Sequence, residues 1–249
     1  MDGLILGLDL CDGYTQLSCW GREENWTLPT AVCRQKDGRW LIGETAYATA
    51  LAGEGSVTDK LIRLVLQDGS DTIYGVKYRA VDLLKCFLEQ VFSLPLEEGK
   101  TVDGSMVKEL VITVPKMKAR LMDGLMYCAD QLKIPRAHVH VISHTEAFMY
   151  FVLSQTRDVW SNHVGLFDLS EKCLCYYEMK VQKNMGQVTA VAEREKLEEG
   201  FALDILSAPQ GVKLADKILC SCGERLLEKK LFSSVFLTGK GFETQQWAG

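Results

Sequence analysis

The amino-acid sequence predicts an α/β protein in which strands and helices alternate in a parallel layer. The first observation behind this prediction is the segment over 109–153, where two apolar strand-like runs alternate with two helix-like stretches. Parallel strands joined in this way nearly always have right-handed crossovers. The second observation is that a strand, a charged turn and another strand occur in each half of the chain. Such internal similarity indicates a repeated structural unit.

Composition and charge narrow the class of protein. The chain has 249 residues, which is enough for one or two domains. With 28 basic and 33 acidic side chains its net charge is −5, and this argues against nucleic-acid binding, which needs clustered basic residues. No apolar run approaches the ~18 residues of a membrane span. The start of the chain lacks a basic signal-peptide region, and nine cysteines fit a reduced thiol set, so a cytoplasmic location is predicted.

The first third of the chain is predicted to consist mainly of strands and turns, because Asp-Gly pairs between apolar runs are typical of hairpins. The predicted elements are a hairpin over 4–20 turning at Asp12 and Gly13, a hairpin over 30–42 turning at Asp37 and Gly38, a short helix over 45–52, turns and short strands over 57–78, and a helix over 81–92. The last helix carries Leu84, Leu88 and Val91 on one stripe, which predicts a buried face.

The middle of the chain is predicted to hold the parallel layer. After a loop over 94–105 come a strand over 109–114, a helix over 119–133, a strand over 139–142 and a helix that follows Ser143 and runs through Leu153. Pro115 closes the first strand and Pro135 ends the first helix. Ser143 followed by Glu146 has the spacing of a capping box, which predicts where the second helix starts.

The last part of the chain repeats the opening pattern. Its predicted elements are a strand, turn and strand over 164–181, a third strand over 188–195, a helix over 202–229 broken near Pro209, and a short strand over 235–238 that turns at 239–241. So few residues follow Gly241 that the sequence predicts a piece of a longer polypeptide.

Asp9 and Asp168 occupy the same place in the two predicted hairpins, at the end of a buried strand and before a polar turn. A carboxylate is costly in such a position unless it has a use. Two such turns facing each other across a cleft would direct backbone N–H groups and hydroxyls toward phosphate, and the two carboxylates would hold a hydrated Mg²⁺ ion. The alternative is that both are ordinary carboxylates that flank turns.

Five motifs in order resemble those of the actin, sugar-kinase and heat-shock-chaperone ATPase superfamily, and most closely its chaperone branch. They lie at 5–10 (first phosphate motif), 28–30 with 40–46 (small subdomain), 111–115 with 141–147 (first connecting segment), 165–169 (second phosphate motif) and 235–241 (adenosine motif). The resemblance implies duplicated actin-like, ribonuclease H-like lobes with mixed five-stranded sheets flanked by helices and a nucleotide cleft between them. It divides the chain into a first lobe over 1–155, with a small subdomain inserted around 28–80, and a second lobe over 156–249 whose outer subdomain is reduced or absent.

The same resemblance implies roles for individual residues and a ligand, ATP or ADP with Mg²⁺. The implied catalytic residues are Asp9, Asp168, His144 and Glu146, and the implied metal ligands are Asp9 and Asp168. The implied nucleotide-binding residues are Asp12, Gly13, Tyr14 and Thr15 in the first turn, Ser170 and Lys172 in the second, Lys196, and Gly239, Lys240 and Gly241 in the adenosine motif.

The chain departs from the family pattern at both phosphate turns. Cys11, Asp12 and Gly13 replace Gly, Thr and Thr, and the second turn has Glu171 where the family has glycine. Glycine allows the backbone to approach phosphate closely, and a carboxylate there repels it. The sequence therefore predicts a degenerate or slow ATPase with a regulatory or scaffolding role and a protein partner. The alternative is a non-catalytic scaffold of the bacterial actin-like kind that has lost its nucleotide.

Other polar clusters are predicted to be structural. The pairs Cys173 with Cys175 and Cys220 with Cys222 are spaced too closely for a zinc knuckle. His138, His140 and His144 cluster near one strand without a matching cysteine or carboxylate, which favours simple packing.

Overall fold

The computed structural model describes residues 3–97, 99–170, 173–184, 187–199, 208–228 and 231–242. The chain forms two compact units, the first ending at His144 and the second beginning at Thr145. Both combine sheets with helices, so the predicted α/β class is confirmed.

The first unit contains ten strands and four helices among its described residues. They are β1 (Leu4–Leu10), β2 (Tyr14–Cys19), β3 (Asn25–Pro29), β4 (Ala31–Gln35), β5 (Trp40–Ile42), α1 (Gly43–Leu51), β6 (Gly55–Asp59), α2 (Leu61–Leu66), β7 (Ser70–Ile73), β8 (Val76–Arg79), α3 (Ala80–Val91), β9 (Val107–Val114), α4 (Ala119–Gln131) and β10 (Val139–Ser143).

A five-stranded mixed sheet organises the first unit, in the order β10-β9-β1-β2-β3. β1 pairs in parallel with β9, β9 pairs in parallel with β10, and the β1–β2–β3 meander is antiparallel. Alternation along β1 buries Leu6, Leu8 and Leu10 on one face, because successive side chains of a strand point to opposite faces. The other face carries Asp9, and the parallel layer predicted for 109–153 is present.

Helices cover the apolar face of this sheet. The predicted stripe of α3, with Leu84, Leu88 and Val91, is buried in the same cluster as the leucines of β1. α4 adds Leu121 and Leu125 to that cluster. The five-stranded sheet flanked by helices is thus held by one continuous apolar core on this face.

Two elements of the first unit differ from the sequence-based expectation. Residues 25–29 form β3, an edge strand of the main sheet, although no strand was predicted there. Residues 61–66 form α2, although turns and short strands were expected. A helix this short has too few turns to show apolar periodicity, so pattern analysis does not detect it.

In the second unit, the described residues form helix α5 (His144–Ser154), which begins at the last residue of the first unit, and four strands with one long helix. They are β11 (His163–Ser170), β12 (Cys173–Asn184), β13 (Gln187–Glu199), α6 (Pro209–Leu227) and β14 (Phe232–Thr238). The predicted break at Pro209 is where α6 starts, since proline fits the first helical position. Residues 202–207 of the predicted helix lie outside the described residues.

The four-stranded sheet of the second unit has the order β13-β12-β11-β14. An antiparallel meander is followed by one parallel pairing, which repeats the arrangement β3-β2-β1-β9 of the first unit. Phe167 and Tyr176 pack with α6 on one face, whereas Val164 and Tyr177 pack with Phe148 of α5 on the other. Both faces of this sheet are therefore covered.

Candidate functional site

Asp9 lies near the carboxyl end of β1 and is the centre of a polar cluster. Its Oδ1 accepts hydrogen bonds from His144 Nε2 at 2.7 Å and from Thr113 Oγ1 at 2.9 Å. The Cys11 Sγ atom lies 3.9 Å from the same oxygen. The side chain of Asp9 is 47 % exposed and that of His144 is 17 % exposed. The cluster is therefore partly open to solvent.

The sheet register explains why these residues meet. Asp9 pairs with Thr113 across the parallel strands β1 and β9, and Thr113 pairs with Ile142 on β10. His144 lies two residues after Ile142, just past the end of β10. All of these positions are at the carboxyl ends of parallel strands, where ligands of α/β proteins typically bind.

The environment of Asp9 favours its charged form. Partial burial raises the pKa of the Asp9 carboxyl, but the hydrogen bond from His144 and the electrostatic attraction of its ring outweigh burial, with help from Thr113, and hold the pKa below its usual value of 3.8. Asp9 is therefore a carboxylate at neutral pH. It needs a cationic or donating partner, and His144 supplies one.

Cys11 completes a set of three potential metal ligands. Its Sγ lies 3.8 Å from His144 Nε2, and the ligand atoms of Asp9, Cys11 and His144 all lie within 4.8 Å of one another. Both the thiol and the carboxylate approach the same ring nitrogen. A Cys-His-Asp triad would instead use the two nitrogens of the ring separately. The geometry therefore does not favour nucleophilic catalysis.

Asp12, which is predicted to bind nucleotide, contacts Arg63 of the same chain. Its Oδ1 accepts a hydrogen bond from the backbone N–H of Arg63 at 3.0 Å, and its Oδ2 lies 3.6 Å from the Arg63 side chain. Arg63 lies in the first turn of α2, where N–H groups lack helical partners. Asp12 therefore caps α2 from a distant turn.

Thr15, also predicted to bind nucleotide, is fully buried. Its Oγ1 lies 2.7 Å from Thr30 Oγ1, and Thr30 donates to the carbonyl of Cys11 at 2.7 Å. The backbone N–H of Thr30 donates to the carbonyl of Gly13 at 2.9 Å. These bonds fix the backbone of the turn around Gly13 and Tyr14.

Asp168 occupies the corresponding position of the second unit. It pairs with Thr238 across the parallel strands β11 and β14, as Asp9 pairs with Thr113. Burial raises the pKa of Tyr177, and the charge of Asp168 acts in the same direction. Asp168 is itself half-buried.

The adenosine motif follows β14 in a tight turn. Gly239 has a φ of +96°, which glycine adopts without strain. A Cβ on Gly241 would lie 2.3 Å from Leu169 Cγ, so the turn packs directly on the strand that carries Asp168.

Glu146, which is predicted to be catalytic, is exposed in the first turn of α5.

Four predicted nucleotide-binding residues lie wholly or partly outside the described residues. Lys172 is outside them altogether, as are the side chains of Ser170, Lys196 and Lys240. Their predicted roles stay predictions.

Sequence reasoning missed Cys11 and Thr113 as members of the cluster, because their proximity depends on strand register. The prediction that the histidines lack carboxylate partners was wrong. His144 bonds Asp9, and His140 Nε2 lies 3.0 Å from Glu109 Oε2. His140 is on β10 and Glu109 is on the neighbouring strand β9, so strand pairing brings these two residues together although they are distant in sequence.

Among the described residues, no helix has both the length and the apolar character to cross a membrane.

No curated protein matches the sequence. Residues 13–249 match a protein-family model, which is described as "Family of unknown function (DUF5716) C-terminal". The chain therefore belongs to this family, and the match begins after Asp9 and Cys11.

Proposed function

We propose that this chain is an actin-like, ribonuclease H-like nucleotide-binding domain that binds ATP or ADP with Mg²⁺ and hydrolyses it slowly or not at all. Its role is then regulatory or scaffolding, within a larger protein and with a protein partner. The observation that carries the proposal is the equivalent placement of Asp9 and Asp168 in the two units.

The equivalence extends to the pairing register. Asp9 pairs with Gln16 within its hairpin and Asp168 pairs with Cys175, which is the same offset along each hairpin. Each aspartate also has a threonine beside it on the next parallel strand, Thr113 or Thr238. Two independent pairings agree, which supports a duplication with a shared use for the two carboxylates.

Asp9 fits a carboxylate that binds hydrated Mg²⁺. Among the described residues its hydrogen bonds all fall on Oδ1, so Oδ2 remains available on a side chain that is 47 % exposed. Mg²⁺ keeps several waters and needs only one or two carboxylates. When bound, it would neutralise charge on the phosphate oxygens.

The first turn would bind phosphate through its backbone N–H groups rather than through its side chains. Thr15 is buried against Thr30, and Asp12 is bound to Arg63. These contacts hold the turn around Gly13 in one conformation, and pre-organised backbone N–H groups are the usual donors to phosphate. Asp12 and Thr15 thus support the site without touching the ligand.

His144 is the reason to propose slow hydrolysis. The resemblance places it where the family has a catalytic glutamate. Because Nε2 donates its proton to Asp9 at 2.7 Å, that nitrogen has no free lone pair with which to accept a proton from water. A general base must be within reach of its proton and unprotonated.

Thermal unfolding of the full chain with and without Mg²⁺–ATP tests the proposal. A ligand that binds only the native state raises its melting temperature, by about 5 °C near 100 times Kd for a chain of this size. Asp9→Asn and Asp168→Asn should each remove the shift. Asp37→Asn is the matched control, since Asp37 is a hairpin carboxylate with 51 % side-chain exposure, and it should keep the shift. Absence of a shift at millimolar Mg²⁺–ATP would overturn nucleotide binding.

One observation favours the non-catalytic scaffold as a second candidate. Asp9 and Asp12 already have partners from the same chain, His144 and Arg63. The first turn is therefore electrostatically satisfied without any ligand. If the chain is a scaffold without nucleotide, Asp9→Asn would leave the capture of a partner protein unchanged. If recruitment of the partner depends on bound nucleotide, the same substitution would abolish the capture.

A further inference from the structure

We propose that Asp9, Cys11 and His144 form a site for a divalent transition-metal ion, with Zn²⁺ as the best match. This inference does not depend on nucleotide binding. Each of the three residues offers one donor atom, and the three donors are of the types that zinc prefers: carboxylate oxygen, thiolate sulfur and imidazole nitrogen.

The distances are close to those of a metal site. With typical zinc bond lengths, tetrahedral ligation separates sulfur from nitrogen by about 3.6 Å and oxygen from nitrogen by about 3.3 Å. The observed separations are 3.8 Å from Cys11 Sγ to His144 Nε2 and 2.7 Å from Asp9 Oδ1 to the same nitrogen. Replacing the shared proton by an ion therefore requires the carboxylate to move by about half an ångström. A rotation of the half-exposed Asp9 side chain can supply that movement.

The surroundings fit a site with one open position. Three protein ligands and a water are typical of zinc sites that act on other molecules, whereas purely structural sites have four protein ligands. Thr113 donates to Asp9 at 2.9 Å and would orient the carboxylate as an outer partner. The carbonyl of Cys11 is held by Thr30 at 2.7 Å, so the backbone at the cysteine is fixed before an ion binds.

The donor atoms of Asp9, Cys11 and His144 favour Zn²⁺ over Mg²⁺, the ion of the proposed nucleotide site. Mg²⁺ prefers oxygen ligands and keeps its waters, whereas thiolate and imidazole favour zinc and its neighbours. When the ion binds, the thiol proton of Cys11 leaves to solvent and the imidazole proton of His144 moves to Nδ1. Binding therefore weakens as pH falls.

Cobalt substitution in the nucleotide-free full chain gives the direct test. Co²⁺ added under anaerobic conditions should produce a thiolate-to-cobalt charge-transfer band and the intense visible bands of tetrahedral coordination. One equivalent of Zn²⁺ should abolish them. Absence of the charge-transfer band in the unmodified protein would overturn the proposal.

Ligand variants locate the site. Competition against a chromophoric zinc chelator should show Cys11→Ser, Cys11→Ala and His144→Gln each weakening the affinity for Zn²⁺ by more than the about 10–100-fold that loss of an outer partner costs. Circular dichroism checks that each variant folds. The two cysteine variants differ in size and polarity, so one of them serves if the other does not fold.

Matched controls come from the same chain. Cys220 is exposed on α6, and His140 is exposed on β10 with Glu109 as its partner. Cys220→Ser and His140→Gln should leave zinc affinity unchanged. If these controls weaken binding as much as the ligand variants, the ion is bound elsewhere and the assignment is wrong. Zinc binding without any response to Mg²⁺–ATP would leave this site standing and reject the proposed function alone.

Discussion

At the scale of single residues, the partners of a side chain decide its chemistry more than its type does. The chain contains several cysteines that differ widely in environment. Cys11 lies beside His144 in a half-open cluster, Cys220 is exposed, and Cys128 is fully buried with its thiol donating to the carbonyl of Val81. Their reactivities should differ accordingly.

Burial raises the pKa of Cys128 to about 12 from its usual 9.0. The folded state therefore keeps this thiol protonated, and its contribution to the free energy of unfolding is intact below pH 9 and declines as the pH rises from there toward 12. At pH 8, iodoacetamide should modify Cys220 rapidly and leave Cys128 unmodified until the chain unfolds. Mass spectrometry of peptides after timed labelling measures both. Equal labelling rates for the two thiols in the folded protein would contradict this expectation.

At the scale of secondary-structure elements, the sequence predicts what local pattern determines. α3 was predictable because its buried stripe repeats over three turns. α2 was not, since it begins after Lys60 in a left-handed conformation (φ 54°) and its first turn is capped by Asp12 from a distant hairpin. β3 was not predicted, because residues 25–29 form a strand by pairing with β2 and not through a local sequence pattern.

The candidate site was predictable only in part for the same reason. Asp9 and His144 were both chosen from motifs, one as a phosphate-turn carboxylate and one as a replaced glutamate. Their direct hydrogen bond depends on the register of three parallel strands. Cys11 lies in the first phosphate turn and Thr113 in the first connecting segment, but the motifs assign neither of them a role. It is the strand register that places Thr113 and His144 beside Asp9.

Two glycines of the second unit allow a test of packing. A Cβ on Gly241 would lie 2.3 Å from Leu169 Cγ, whereas a Cβ on Gly223, inside α6, would meet nothing within 4 Å. Gly241→Ala should lower the free energy of unfolding by about 1–3 kcal/mol through overpacking. Gly223→Ala should raise it by about 0.5–1 kcal/mol, because alanine favours helix.

Urea denaturation of both variants beside the unmodified chain measures these changes. The sign is the important result, since both substitutions add one methyl group. A stabilising Gly241→Ala would mean that Leu169 moves aside without cost and that the turn does not require glycine.

At the scale of the whole molecule, the repeated strand order is the main organising feature. Each unit places an aspartate beside a threonine at the same point of its sheet. At this scale, the functional interpretation therefore rests on the carboxylate that both units share, Asp9 in the first and Asp168 in the second.

A double-mutant cycle tests whether the two carboxylates act on one ligand. If Asp9 and Asp168 bind the same Mg²⁺–ATP, Asp9→Asn and Asp168→Asn will not be additive, and the double variant will bind no more weakly than either single variant. Calorimetric titration of all four proteins gives the free energies. Strict additivity would indicate that the residues act independently and would reject coordination of one shared ion.

The hydroxyl pair in the core has a consequence for motion. Thr30 gives its only hydroxyl proton to the carbonyl of Cys11, so Thr15 must supply the proton that joins the two threonines. Thr30 is also the link between β3 and β4. A displacement of that link would be transmitted through the Thr30 hydroxyl to the backbone of Cys11, and so to the Asp9 cluster.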